Sequence, residues 1–204
     1  MRPEAPPASF NKVFERLLAA HGPQQWWPAE TRFEGMIGAI LTQNTAWTNV
    51  ERALTRLAGR CALEPDQLLA LPEAELADAI RPAGYFNVKA RRLLAFCAAF
   101  VDAGGHAVLD AMDTPTLRER LLAIHGIGPE TADDILLYAF GRPVFVVDAY
   151  TRRLFTRLGL LAGHEGYEAI RASFEHALGS AVPVLNEYHA LIVRHAKDVC
   201  RARA

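Results

Sequence analysis

The stretch His125–Leu154, HGIGPETADDILLYAFGRPVFVVDAYTRRL, decides the fold of this chain of 204 residues. Gly126 and Gly128 separate two segments whose apolar residues recur at helical spacing, so the pattern predicts a helix, a tight glycine turn and a second helix. Pro129 suits the first position of the second helix, where a missing N–H costs nothing. The unpaired N–H groups of such a turn favour an anion, above all a phosphate. Taken alone, the pattern more often marks an ordinary corner between two helices.

Asp148 follows the second helix and a short apolar connector, and Thr151 stands three residues after it. This spacing predicts that Asp148 caps the N-terminus of a third helix. Backbone N–H bonds favour the charged form of a carboxyl group, so we expect Asp148 to be ionised at neutral pH. A helix cap is a sufficient explanation for an aspartate here. A carboxylate placed beyond a phosphate-binding turn would also face a nucleotide held by that turn.

The composition favours a globular, all-α protein. Hydrophobic residues make up 51% and charged residues 22% of the chain, and β-branched runs are few. No apolar run approaches membrane-spanning length and the first residues lack the apolar centre of a signal peptide, so we expect a cytoplasmic protein. The net charge of −1 gives no support to nucleic-acid binding. Local basic clusters do support it, although separate solvated helix faces would explain them as well.

Several motifs resemble the helix-hairpin-helix glycosylase superfamily to which endonuclease III belongs. They are HGIGPETAD, VFVVD and DAYTRRL, preceded by QQWWP, LTQNTAW and RPAGYFNVKARRL and followed by RHAK. The combination of WWP, LTQNT and a hairpin without a lysine looks closest to the 3-methyladenine DNA glycosylase branch. The resemblance implies an all-α fold of two helical lobes with DNA in the cleft between them. Residues 30–144 would form a six-helix lobe with the hairpin, and residues 1–29 plus 145–204 the second lobe.

The resemblance also implies the chemistry of the site. Asp148 matches the catalytic aspartate, and Glu130 stands where bifunctional members carry the lysine that attacks the sugar. Glutamate cannot form a Schiff base, so we expect a monofunctional enzyme. An acid in the first turn of a helix is also favoured by the helix dipole, which is the plainer explanation of Glu130.

The remaining candidate residues would bind DNA and the damaged base. Gln43 matches a glutamine that intrudes into DNA as a wedge, although clustered amides are often only turn chemistry. The candidates for the base pocket are Trp26, Trp27, Trp47 and Lys197, and an exposed helix lysine is the plainer explanation of the last. The candidates for binding DNA phosphates are Gly126, Gly128, Glu130, Thr131 and Lys89.

Two expectations concern metals. The backbone carbonyls of Leu122, Ile124 and Ile127 match those that hold a monovalent cation, Na⁺ or K⁺, at the family's hairpin. Cys200 stands where many relatives begin a four-cysteine iron–sulfur loop, but only 3 cysteines occur and none are closely spaced. We therefore expect no iron–sulfur cluster and no required cofactor.

These features predict a monomeric base-excision-repair glycosylase in the cytoplasm, within the pool associated with the nucleoid. It would act on double-stranded DNA that contains a damaged base and would not bind a membrane. An alkylated purine carries positive charge, and indole rings would attract it by about 0.5–2 kcal/mol. One alternative is an endonuclease III-like glycosylase for oxidised pyrimidines, with or without weak lyase activity. Another is a non-catalytic DNA-binding module.

Overall fold

A computed structural model describes residues 7–24, 26 and 29–202, with only the backbone at positions 7 and 8. The described residues form α-helices and no strand, so the all-α prediction is confirmed. The helices are α1 Pro7–His21, α2 Arg32–Leu41, α3 Trp47–Ala58, α4 Pro65–Ala70, α5 Glu73–Ala79, α6 Phe86–Asp102, α7 Gly105–Asp110, α8 Thr114–Leu122, α9 Pro129–Asp134, α10 Ala149–Arg157, α11 Tyr167–Leu178 and α12 Val182–Asp198. Within the described ranges, no helix has the length and apolar content needed to cross a bilayer.

The chain divides into two compact units. Unit 1 comprises Met1–Pro28 with Leu136–Ala204, and unit 2 comprises Ala29–Ile135. The boundary between the units follows Ile135, earlier in the chain than the lobe boundary at residue 144 that the resemblance implies. The six-helix lobe of residues 30–144 therefore stays a prediction.

Unit 2 is built around α6, whose 17 residues pack against α2, α4, α5 and α7. Three phenylalanine rings form part of its core, with ring centroids 5.4 Å apart for Phe33 and Phe100 and 5.9 Å apart for Phe96 and Phe100. Helix α9 packs on α2 and α8, which fixes the glycine turn to the same core.

Unit 1 joins the two ends of the chain, because α1 packs against α11 and α12. Its core is an aromatic cluster in which Phe145 stacks on Phe174, with centroids 4.0 Å apart. Phe10 meets the edge of Phe174 at 4.8 Å, and the hydroxyl of Tyr188 donates a hydrogen bond to the carbonyl of Phe10 at 2.7 Å. These contacts bring the connector before α10 against α11 and α12.

The helix–turn–helix predicted for His125–Leu154 is present, with Pro129 in the first turn of α9. The second helix is irregular: α9 ends at Asp134 and a π-helical turn follows over Ile135–Ala139. Positive φ is needed at only one of the two glycines, since Gly126 has φ +90° and Gly128 has φ −93°.

Candidate active site around Asp148

Asp148 caps α10, as its spacing from Thr151 predicts. Its backbone is extended, and its Oδ1 accepts a hydrogen bond from the N–H of Thr151 at 2.7 Å. The connector before it is held at Val147, whose N–H donates to the hydroxyl of Tyr167 at 3.4 Å. The carboxylate thus stands at the N-terminus of a nine-residue helix, where the helix dipole also favours an anion.

The second carboxylate oxygen faces a histidine. His189 Nε2 on α12 lies 3.6 Å from Asp148 Oδ2, and the two side chains are only 5% and 12% exposed. On the other side of the ring, His189 Nδ1 lies 2.6 Å from the hydroxyl of Tyr138. Tyr138, His189 and Asp148 therefore form a chain of neighbouring polar groups within unit 1.

The environment keeps Asp148 charged. Burial by itself raises the pKa of this carboxyl group, but the neighbouring His189 ring and the N–H of Thr151 lower it by more. The pKa of Asp148 is therefore below its ordinary value, in agreement with the ionised state expected from the sequence.

Aromatic rings border this chain of polar groups. The indole of Trp26 lies with its centroid 6.1 Å from the ring of Tyr138, edge to face, and 5.7 Å from the ring of His189. Trp26 is thus placed one side chain away from Asp148. Trp27, the second tryptophan of the pair, lies outside the described residues.

The π-helical turn accounts for the position of Tyr138. A turn of this kind inserts an extra residue into the helical register and is frequent at functional sites. Here it covers Ile135–Ala139, and the N–H of Arg142 donates to the carbonyl of Leu136 at 2.8 Å as the chain leaves it.

The hairpin glycines of unit 2 have different surroundings. A Cβ added at Gly126 would lie 2.3 Å from Cγ of Arg92, so this arginine packs directly on the glycine. A Cβ added at Gly128 would meet no atom within 4 Å, and Gly128 is exposed. The space beside Gly128 at the start of α9 is therefore open to an anion.

Gln43 is bonded to this hairpin. Its Nε2 donates to the carbonyl of Gly126 at 3.1 Å and to Oγ1 of Thr131 at 2.9 Å, and its Oε1 accepts from Arg92. A wedge role for Gln43 stays a prediction, and it requires these bonds to break. The hydroxyl of Thr131 is buried and accepts a hydrogen bond from Gln43, so the prediction that this side chain binds a phosphate is wrong. A phosphate contact from the backbone N–H of Thr131 stays a prediction.

The assignment of Lys89 to a DNA phosphate is wrong. Lys89 is 1% exposed, and its Nζ donates to the carbonyls of Leu41 at 2.8 Å and Ala83 at 2.7 Å. The ammonium group ties the end of α2 to the 3₁₀ turn Arg81–Ala83, which precedes α6. Sequence reasoning missed this because lysine is rarely buried unless its charge is satisfied.

The three other candidates lie on three different helices. Glu130 is exposed in the first turn of α9. Trp47 is the first residue of α3 and is half-buried in unit 2. Lys197 is exposed near the end of α12, eight residues after His189, which is about 12 Å along a helix axis. The roles given to them in the base pocket and at the phosphates remain predictions.

The structure also shows the surroundings of the candidate metal ligands. The carbonyl of Ile124 accepts the N–H of Ile127 at 3.1 Å, which leaves one lone pair of that oxygen for a cation. Leu122 ends α8 just before this turn. Cys200 Sγ lies 3.2 Å from Nη1 of Arg157, and no group of three or more His, Cys, Asp or Glu side chains in the described ranges is arranged to hold a metal.

Sequence reasoning missed His189 and Tyr138. The two residues are 51 positions apart. Tyr138 precedes Asp148 in the chain, and His189 follows it on α12. The only signal was a histidine on the apolar face of α12, among Leu185, Tyr188 and Ile192. Such a histidine is usually a satisfied core residue, and its partners are visible only in three dimensions.

Comparison with known proteins now identifies the family. The model of the HhH-GPD superfamily base excision DNA repair protein matches residues 37–179. A candidate DNA repair glycosylase of Methanocaldococcus jannaschii is 48% identical over 196 residues, which cover 95% of this chain and 89% of that protein. Endonuclease III of Sulfolobus acidocaldarius is 31% identical over 172 residues, covering 84% and 75%.

A solved structure agrees with these relatives. The Helicobacter pylori 3-methyladenine DNA glycosylase bound to 1,N6-ethenoadenine superposes with a TM-score of 0.76 and 29% identity, covering 94% of this chain and 95% of that one. The resemblance inferred from the sequence is confirmed. The chain belongs to the HhH-GPD superfamily of base excision DNA repair proteins, a family of DNA N-glycosylases.

Proposed function

We propose that this protein is a monofunctional glycosylase that hydrolyses the N-glycosidic bond of an alkylated purine in double-stranded DNA. The observation that carries the proposal is the anionic carboxylate of Asp148 beside His189, whose ring lies next to the rings of Trp26 and Tyr138. An N-glycosidic bond breaks through a cationic sugar, and a fixed anion in a water-poor site stabilises such a charge strongly. The damaged base must first leave the stack to reach the site.

Asp148 has two roles in this reaction. Its charge stabilises the oxocarbenium-like sugar, and its carboxylate orients the attacking water and accepts the water's proton. One oxygen is held by the N–H of Thr151 and the other faces His189, so the carboxylate needs little reorganisation. The released base departs with the electron pair of the broken bond.

The negative charge and the aromatic rings of the site favour an alkylated purine over an oxidised pyrimidine. Alkylation at a ring nitrogen makes the base cationic and a good leaving group, so little acid catalysis is needed. The indole of Trp26 attracts such a cation by about 0.5–2 kcal/mol. The 3-methyladenine glycosylase of H. pylori, which resembles this chain over nearly its whole length, supports the same substrate class.

Endonuclease III-like activity on oxidised pyrimidines is the second candidate, because a protein of that name is 31% identical to this chain. A lyase step would need an amine that attacks the sugar. Glu130 occupies the position where the resemblance places that amine, and a carboxylate cannot form a Schiff base. We therefore expect no covalent adduct with DNA on borohydride treatment.

The test measures bases released from three DNAs in single-turnover reactions: methylated DNA, DNA with an oxidised pyrimidine, and undamaged DNA. Wild type is expected to release alkylated purines, and Asp148→Asn to be slower by at least about 100-fold. Asparagine is an equally good N-cap, so this variant should keep its fold and its DNA affinity.

Three outcomes would overturn the proposal. Equal rates for wild type and Asp148→Asn would remove the catalytic role of Asp148. Release of oxidised pyrimidines alone would establish the endonuclease III-like alternative. DNA binding with no release from any substrate would identify a non-catalytic module.

The other assignments complete the proposal as predictions. Gln43 is the wedge, the open space beside Gly128 receives a phosphate, and Trp27 and Trp47 add to the base pocket. A monovalent cation at the carbonyls of Leu122, Ile124 and Ile127 would reduce repulsion between the hairpin and the phosphates. The protein acts as a monomer.

A further inference from the structure

Both oxygens of the Asp148 carboxylate have a defined neighbour. Oδ1 accepts the N–H of Thr151, which is part of the cap of α10 and would be present in any helix-capping aspartate. Oδ2 faces Nε2 of His189 at 3.6 Å, from a different helix. The second interaction has no part in capping, so it needs its own explanation.

The partners of the ring indicate its protonation. In a neutral imidazole one nitrogen carries the proton, and the ionised carboxylate of Asp148 can only accept from the nitrogen that it faces, Nε2 at 3.6 Å. Nδ1 is then the acceptor, and the ring proton lies on Nε2, the nitrogen that faces the carboxylate. The hydroxyl of Tyr138, 2.6 Å from Nδ1, can donate to that nitrogen and so fits the tautomer in which His189 offers an N–H to Asp148.

We propose that His189 is a positioning residue for Asp148. The hydroxyl of Tyr138 orients the ring of His189, and the Nε2–H of that ring holds Oδ2 of Asp148 in the direction of the sugar. This inference rests on the proposed function. The ring needs to neither gain nor lose a proton during the reaction. Its neutral form also leaves the site with a net negative charge, which suits a cationic base and would not repel it.

In the described part of unit 1, the other polar groups near Asp148 make different interactions, and His189 is the one that faces Oδ2. Thr151 on α10 holds the other oxygen, and the hydroxyl of Tyr167 on α11 bonds to the neighbouring Val147. Tyr138 reaches the histidine on its far side. His189 is the titratable side chain from α12 that faces the carboxylate.

The test compares His189→Leu with His189→Gln in single-turnover release of an alkylated purine across a pH series. Leucine keeps much of the ring's bulk but offers no donor, whereas the glutamine amide can still donate to Oδ2. We expect His189→Leu to lower the maximal rate by about 10–100-fold, as loss of an outer hydrogen-bonding partner typically does. We expect His189→Gln to recover most of that rate.

The pH profile separates positioning from packing. His189 contributes to the lowered pKa of Asp148, so its loss should move the acidic limb of the rate profile to higher pH. His189→Gln should leave that limb near its wild-type position. A uniform loss of rate with an unmoved limb in both variants would show that the ring only fills space, and would overturn the proposal.

Two further measurements guard against ambiguous results. Tyr138→Phe removes the hydroxyl that contacts His189 and leaves the aromatic ring in place. This variant should fold even if His189→Leu does not. We expect its rate of base release to be several-fold below that of wild type. Carbon-13 NMR titration of the Asp148 carboxyl group compares wild type with His189→Gln and His189→Leu without any substrate. A raised pKa in His189→Leu alone supports the inference even if no base release is found, whereas identical titrations contradict it.

Discussion

Single residues show where chemical type alone predicts the environment and where it does not. Asp148 is a helix cap by its spacing from Thr151, and its pKa is lowered as that interpretation predicts. Lys89 is also ionisable, but it lies inside unit 2 between the carbonyls of Leu41 and Ala83. Nothing in its neighbours along the chain distinguishes it from an exposed lysine, because the two carbonyls come from residues 48 and 6 positions away.

The burial of Lys89 predicts a pH dependence of stability. Desolvation, and then the charge of Arg92, lower the pKa of Lys89 from 10.5 to about 8. Between these values the unfolded chain binds a proton that the folded chain does not, so this residue makes the protein more stable as pH rises from about 8 to 10.5. The free energy of unfolding of wild type minus that of Lys89→Met should therefore increase over this interval in urea denaturation.

Arg91→Met, which changes an exposed residue of the same helix, is the control and should show no such trend. A difference between wild type and Lys89→Met that stays constant with pH would mean that Lys89 titrates alike in the folded and unfolded chain.

Among the elements, the hairpin depends on an arginine and a glutamine that its own sequence does not include. The stem of Arg92 covers Gly126, and Gln43 joins Arg92 to the hairpin carbonyl. The turn is therefore fixed from α6 and from the end of α2, and it does not stand alone as a surface corner.

This arrangement predicts different effects at the two glycines. Gly126→Ala forces a side chain to φ +90° and against Arg92, and should cost at least about 1–2 kcal/mol of unfolding free energy. Gly128→Ala has ordinary φ and open space, and should change stability by less than about 0.5 kcal/mol. Its added methyl group should still weaken DNA binding, because it enters the space offered to a phosphate. Urea unfolding and DNA titration measure the two effects, and equal destabilisation by both variants would contradict this explanation of the hairpin.

The sequence predicts the elements better than it predicts their irregularities. Helical periodicity indicates both helices of the hairpin, and the motif order indicates the family. The π-helical turn at Ile135–Ala139 has no such signature, since LLYAF continues the helical pattern. Tyr138 is placed by that turn, and His189 by the packing of α12, so the polar chain to Asp148 could not be predicted without coordinates.

For the whole molecule, a net charge near zero conceals an uneven distribution. Unit 1 carries 12 Lys and Arg against 8 Asp and Glu, a charge of +4, and unit 2 carries 10 against 15, a charge of −5, which together give −1. The weak overall charge therefore does not argue against binding a polyanion. We therefore expect unit 1 to supply most of the electrostatic attraction to DNA.

The exposed position of Lys197 in unit 1 predicts a phosphate contact more readily than a base contact. Lys197→Ala should weaken DNA binding and reduce the slope of log affinity against log salt by about 1, with the maximal rate of base release unchanged. Arg171→Ala in the same unit is the control, because the charge of Arg171 is already paired with Glu168 at 3.0 Å and with Glu175 at 3.4 Å. A lower maximal rate of base release with an unchanged salt slope would contradict the phosphate contact and support the assignment of Lys197 to the base pocket.

The division into units has a consequence for how the enzyme assembles on the ribosome. Unit 2 is one continuous stretch, so it can begin to fold while the chain is still being made. Unit 1 needs α1 from the beginning of the chain and α12 from its last residues, and Asp148 meets His189 only when α12 has emerged. A nascent chain would thus acquire its hairpin early and the contact between Asp148 and His189 last, so a product interrupted before α12 would carry the hairpin and Asp148 without His189.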